Sequence, residues 1–278
     1  MSGAVTSADG TTIGYRQVGD GPGVVLVHGG GQSSRNLMTL AAILGERFTV
    51  YVPDRRGRGM SGSYREDHGL RTEVEDLTAI VRHTGARNVF GLSVGALIAI
   101  EAARTLPEIT RLALYEPPLE YDGVVQTAWV PRYERELAAG RLAAALVTIL
   151  KGTADRTAFR LVPRFVLAAA FGLLIRVTDG RPLPDGMVSP RDLIPTMHYD
   201  ARTVLEAAGP PGRFAGLSCD VMLLGGSRSA RCLAAAVDGL SAAIPRARRV
   251  TLPGAGHTAP DSSGKPELVA AQLQTFFS

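Results

Sequence analysis

A serine with glycines two residues away on either side is a candidate nucleophile, and the chain holds one such pattern, Gly91-Leu92-Ser93-Val94-Gly95. A hydroxyl attacks a carbonyl carbon only when a base takes its proton and fixed donors hold the oxyanion that develops. Five histidines are available as the base. His257 alone sits in a glycine-rich loop, Gly254-Ala255-Gly256-His257, directly after an apolar run. His68 and His83 fall in polar or helical contexts, and His198 falls in a helical block. Donors are expected from Val27-His28-Gly29-Gly30-Gly31-Gln32, where the absence of side chains lets backbone N–H groups face a ligand. The expected pair is the N–H of Gly30 and the N–H of Val94, just after the serine. His28 is expected to pack beneath the loop rather than to do chemistry.

These groups need elements to hold them. Thr12–Val18 alternates like a strand, while Gly23–Val27, residues 48–52, Asn88–Leu92, Arg111–Tyr115, residues 221–224 and Arg248–Leu252 are short apolar runs. Helical spacing predicts helices over residues 70–83, 94–106, 230–243 and 266–277. Strands alternating with helices of this length imply parallel pairing with right-handed crossovers, an α/β fold. Asn88–Leu92 runs into the serine motif and a helix runs out of it, as a nucleophile elbow requires. From Pro117 the pattern changes to helical periodicity without strands, over residues 129–139, 142–150, 159–177 and 191–207, broken by a turn-rich stretch at 179–190. Pro117-Pro118 and Gly209-Pro210-Pro211-Gly212 bracket this block like hinges. The expected organisation is a core of residues 1–116 and 213–278 with a helical cap of residues 117–212.

The order of oxyanion glycines, elbow serine, helical insertion and late histidine resembles the α/β-hydrolase superfamily over nearly the whole chain. Residues 53–62, Pro-Asp-Arg-Arg-Gly-Arg-Gly-Met-Ser-Gly, look like that family's Asp-x-Arg-Gly-x-Gly-x-Ser loop, with Met60 in place of a polar residue. The loop is structural in the family, so Asp54 and Arg56 are not expected to be catalytic. The resemblance implies an eight-stranded, mostly parallel sheet with helices on both faces and a helical cap inserted after the sixth strand. It also exposes a departure. The family's acid usually follows the seventh strand, where this chain reads Leu224-Gly225-Gly226-Ser227-Arg228-Ser229-Ala230-Arg231, with no carboxylate before Asp238. Some members carry the acid at the end of the sixth strand, and Glu116 matches that place. Glu120, Asp238 and Asp261 are the competing carboxylates: Asp238 falls inside a predicted helix, and Asp261 lies four residues past His257.

Composition narrows the class. The chain has 278 residues, 45% hydrophobic and 20% charged, with a formal net charge of +4. All of its 30 basic residues except Lys151 and Lys265 are arginines, scattered among 26 acids, so a nucleic-acid partner is not expected. Cys219 and Cys232 match no metal-ligand spacing or disulfide framework. The first residues lack the pattern of a signal peptide, and the most apolar window, residues 165–175, is too short to span a bilayer, which needs about 20 residues. A cytoplasmic enzyme without metal or other cofactor is expected. It would cleave an ester, lactone or thioester through an acyl-enzyme on Ser93, with His257 as base and Glu116 as acid. Elimination, cyclisation or carbon–carbon hydrolysis on the same scaffold, a perhydrolase- or haloperoxidase-like activity, and a non-catalytic ligand receptor are the alternatives. Phe159, Phe165 and Phe171 either line a site for an apolar or aromatic small molecule or form the core of the cap.

Overall fold

The computed structural model describes residues 1–153, 161–180 and 187–278. Eight strands form one sheet: β1 Ser2–Thr6, β2 Thr12–Val18, β3 Gly23–Val27, β4 Thr49–Pro53, β5 Asn88–Leu92, β6 Arg111–Tyr115, β7 Asp220–Gly226 and β8 Arg248–Leu252. Their spatial order is β1-β2-β4-β3-β5-β6-β7-β8. β2 pairs antiparallel with β1 and with β4, and every other neighbour is parallel.

Period-two alternation sends the two halves of each strand to opposite cores. Val25, Val27, Val89, Leu112 and Leu223 face α2 (Leu70–Thr84), α3 (Val94–Ala103) and the later helix over Arg231–Ala243. Val24, Leu26, Val50, Phe90 and Met222 face α1 (Met38–Leu44) and the C-terminal helix over Pro266–Phe277. The central strands therefore read as unbroken apolar runs, because both of their faces are covered.

Between β6 and β7 the chain leaves the sheet and builds α4 (Val130–Ala138), α5 (Leu142–Thr153), α6 (Arg164–Thr178) and α7 (Pro190–Glu206); α8 (Arg231–Ala243) and α9 (Pro266–Phe277) follow. The insert has its own apolar cluster, with Tyr133, Ala145, Ile149, Ile175, Ile194 and Met197 at its centre. The chain leaves and re-enters the sheet side by side, since the Gly209 N–H donates to the Glu120 carbonyl at 2.8 Å. Glu120 is spent on this connection, accepting from the N–H groups of Gln126 and Thr127 at 2.6 and 2.7 Å.

Two elements escaped the sequence reading. β1 alternates between exposed and half-buried residues at the sheet edge, and α1 is only seven residues long, apolar except for Thr39. The helix after the serine ends at Ala103 rather than 106, where the chain turns toward Pro107.

Candidate active site

Ser93 stands between β5 and α3 with φ 55° and ψ −121°, a conformation that non-glycine residues rarely adopt. The two glycines of its motif make that turn possible. A Cβ on Gly91 would lie 2.5 Å from Ala96 Cα, and one on Gly95 would lie 2.4 Å from the Val27 carbonyl oxygen. The Ser93 N–H is tied to the Tyr115 carbonyl at 2.9 Å, which links the turn to the end of β6.

Glu116 is the next residue on that strand and also has positive φ, at 47°. Its backbone N–H donates to the Leu224 carbonyl at 3.0 Å, so its side chain is directed across the end of β7. One carboxylate oxygen accepts the Gly226 N–H at 2.6 Å, and the other lies 2.7 Å from His257 Nδ1. The second imidazole nitrogen, Nε2, lies 3.0 Å from Ser93 Oγ. Glu116 is 1% exposed. The His257 loop is braced from beneath by the Tyr115 hydroxyl, which donates to the Gly256 carbonyl at 2.8 Å. It is braced from the side by the Arg228 N–H on the Ala255 carbonyl at 2.9 Å.

The competing carboxylates are engaged elsewhere. Asp238 is exposed on α8 and paired with Arg249. Asp261 is buried and accepts from Gln32 Nε2 at 2.9 Å and Asn36 Nδ2 at 3.0 Å. Asp54 holds its own loop, accepting the N–H groups of Ser34 and Met60 at 2.7 and 3.1 Å, and Arg56 is locked between Asp9 and Asp76.

The glycine loop after β3 is oriented by its hydrogen bonds. His28 is fully buried, and its Nε2 accepts the Arg55 N–H at 3.1 Å. The ring proton must then sit on Nδ1, which donates to the Gly29 carbonyl at 2.9 Å. Burial, followed by the cations Arg58 and Arg55, lowers the His28 pKa to about 3, so the ring is neutral. In a planar trans peptide the C=O and N–H point to opposite sides. Holding the Gly29 carbonyl down toward His28 therefore turns the Gly30 N–H up. The flanking N–H groups are occupied, Gly29's by Gln32 Oε1 at 2.9 Å and Gly31's by Asp200 Oδ2 at 2.8 Å. The N–H groups of Gly30 and Val94 have no acceptor among the described residues, and both residues line the cavity above Ser93.

That cavity measures about 500 Å³ and has Ser93 and His257 in its lining. Trp129, Leu146, Ile149, Phe171, Leu193, Met197 and Leu233 are among its apolar lining residues. Of the three phenylalanines singled out from the sequence, Phe171 lines it, Phe165 is 76% exposed on the outer face of α6, and Phe159 lies outside the described residues. Besides His257, Asp200 is the one ionisable acid or base with a formal charge among the described lining residues. Asp200, with Arg55, Arg58 and Glu73, forms a buried ionic network that the sequence reading missed. Two arginines besides Arg56 in one glycine-rich loop were its only trace in the sequence.

Known proteins resemble the chain over nearly its full length. It is 26% identical over 268 residues to 2-(acetamidomethylene)succinate hydrolase of Mesorhizobium japonicum, covering 95% of this chain and 91% of that protein. It is 26% identical over 259 residues to pimeloyl-[acyl-carrier protein] methyl ester esterase of Xanthomonas campestris pv. campestris, covering 93% and 96%. A crystal structure of an alpha/beta hydrolase from Sphaerobacter thermophilus superposes with a TM-score of 0.78 at 31% identity, covering 99% of this chain and 100% of that one. A sequence model of the alpha/beta hydrolase family matches residues 24–272, and the chain belongs to that family as one of its enzymes.

Proposed function

We propose that the chain is a serine hydrolase that cleaves an ester, lactone or thioester of a neutral, apolar small molecule through an acyl-enzyme. The observation that carries this reading is the unbroken relay from Ser93 Oγ through His257 to Glu116, at 3.0 and 2.7 Å, beneath an apolar cavity. Ser93 attacks the carbonyl carbon while His257 Nε2 takes its proton. Glu116 holds the Nδ1 proton in place and stabilises the imidazolium that forms. The N–H groups of Gly30 and Val94 receive the oxyanion, and their fixed orientation makes them worth more in the tetrahedral state than in the ground state. His257 then protonates the leaving group, and the same relay activates water to release the acid.

Residues 117–212 act as the cap over this cavity, on a core of residues 1–116 and 213–278. The lining favours a neutral substrate, because no lysine or arginine is found in it among the described residues. A cytoplasmic setting is consistent with Cys219 and Cys232, which are both free thiols.

A fluorophosphonate probe and a panel of p-nitrophenyl esters test the reading together. The probe is expected to label Ser93, and Ser93→Ala to abolish labelling and lower ester turnover by about 10⁴-fold or more while leaving the fold intact. Ester turnover in Ser93→Ala within tenfold of wild type, or a wild type that neither labels nor hydrolyses any ester, sinks it.

A further inference from the structure

The glycine loop and the helical insert meet at a buried carboxylate. Asp200 lies in α7 and is 1% exposed. Its Oδ2 accepts the Gly31 N–H at 2.8 Å. Arg55 Nη1 donates to its Oδ1 at 2.8 Å, and Arg58 Nη2 donates to both oxygens at 2.9 and 2.8 Å. Arg55 is also held by Glu73, at 2.6 and 2.9 Å, and Glu73 by His68 at 3.1 Å. Burial alone raises the pKa of the Asp200 carboxyl. The facing guanidiniums of Arg58 and Arg55 more than reverse this, so it stays ionised below its ordinary range.

The helix that carries Asp200 belongs to two cores. Ile194 and Met197 pack in the cluster of the insert, whereas Val204 packs with the sheet, α2 and α3. Asp200 lies between these contacts. It is therefore a hydrogen-bonded link between the insert and the glycine loop. His28 and Gln32 hold the loop at Gly29, and Asp200 holds it at Gly31. Gly31 has φ +60°, and consecutive glycines have no side chains to select one peptide orientation. The Gly30 peptide is fixed on one side by His28 and on the other by the Asp200 bond to its neighbour.

We propose that Asp200 is a positioning residue for hydrolysis: it holds Gly31, and so aligns the Gly30 N–H with the developing oxyanion only when α7 is seated on the core. The proposal rests on the acyl-enzyme reading above. A misaligned donor weakens the tetrahedral state and leaves ground-state binding nearly untouched, so the loss belongs in kcat rather than KM.

The test compares Asp200→Ala, Asp200→Asn and the double variant Asp200→Ala/Arg58→Met, on p-nitrophenyl butyrate and with the fluorophosphonate probe. Asp200→Ala leaves a buried cation unbalanced and can fail to fold. The double variant removes one cation with one anion, and Arg58 is a suitable partner because its Nε and Nη1 have no hydrogen-bond partner among the described residues. The alanine and double variants are expected to lose about 10²–10³-fold in kcat, the scale of one oxyanion donor, with KM within about threefold. Labelling of Ser93 should slow in step, and Asp200→Asn, which keeps an oxygen for the Gly31 N–H, should recover part of the rate. A double variant with wild-type kcat shows that Asp200 only neutralises Arg58 and overturns the proposal, as does a loss confined to KM. A wild type inert to both probes refutes the acyl-enzyme reading instead.

Discussion

Among single residues, Glu116 carries the most chemical information. A carboxylate that accepts one backbone N–H and lies against an imidazole nitrogen is both oriented and buried, which suits an acid that must stay fixed while its histidine cycles its proton. Glu116→Gln keeps the shape and removes the charge. It is expected to lower kcat on p-nitrophenyl butyrate by about 10⁴-fold, the cost seen when the acid of such a relay becomes an amide. Asp238→Asn should leave the rate within about twofold, because Asp238 is exposed and paired with Arg249. Asp261→Asn should fall between the two, since Asp261 reaches the glycine loop only through Gln32. Measuring kcat for the three variants side by side checks the order; an aspartate variant as crippled as Glu116→Gln contradicts it.

At the scale of elements, the strand–turn–helix from β5 to α3 decides whether the site exists. Gly95 lets α3 pass close to the end of β3, and a Cβ there meets backbone oxygens of Val27 and His28 at 2.4 and 2.6 Å. Gly95→Ala must therefore push α3 away from the glycine loop. The expected cost is about 1–3 kcal/mol of stability, in the range of overpacked cores, read as a lower urea midpoint. Turnover should fall more than proportionally, because Val94 moves with the helix. This unit was legible in the sequence, since a strand, a turn and a helix within twenty residues leave a contiguous signature. Glu116 was legible for a related reason: the absence of an acid between Leu224 and Arg231 turned attention to the end of the neighbouring strand. Asp200 was not. Its partners Arg55, Arg58 and Gly31 lie more than a hundred residues away, and its own helix reads as an ordinary amphipathic one. β1 was missed because an edge strand with one half-buried face carries little apolar alternation. The greasy stretch of α6 fits the two roles offered for it only in part. Phe171 lines the cavity, Leu167 and Ile175 pack inward, and Phe165, Leu173 and Val177 face outward.

For the whole molecule, the buried polar layer beneath the glycine loop links stability to pH. His28 is held neutral with its pKa depressed to about 3, while in the unfolded chain it titrates near 6.5. Between those values the unfolded state binds a proton that the native state does not, so stability rises with pH in this window and falls as the solution is acidified through it. One proton is worth about 1.4 kcal/mol per pH unit, so lowering the pH from 6.5 to 5 should remove about 2 kcal/mol through His28. Glu73 and Asp200, whose pKa values are also depressed, act in the same direction, but at and below the ordinary carboxylate range and so outside the interval from pH 6.5 to 5. Urea titrations at pH 6.5 and 5 should show that His28→Gln is less stable than wild type at both but loses about 2 kcal/mol less between them. An equal loss in the two proteins rules the linkage out. The placing of the acid reaches furthest across the molecule. Because Glu116 follows β6 directly, the proposed nucleophile and acid come from adjacent parallel strands in fixed register, Leu92 opposite Tyr115, and the loop between β7 and α8 supplies no side chain to the relay. That loop and the first turn of α8 contribute Ala230, Cys232 and Leu233 to the cavity wall. Natural drift or a directed library at those three positions can therefore reshape the cavity wall without replacing Ser93, His257 or Glu116.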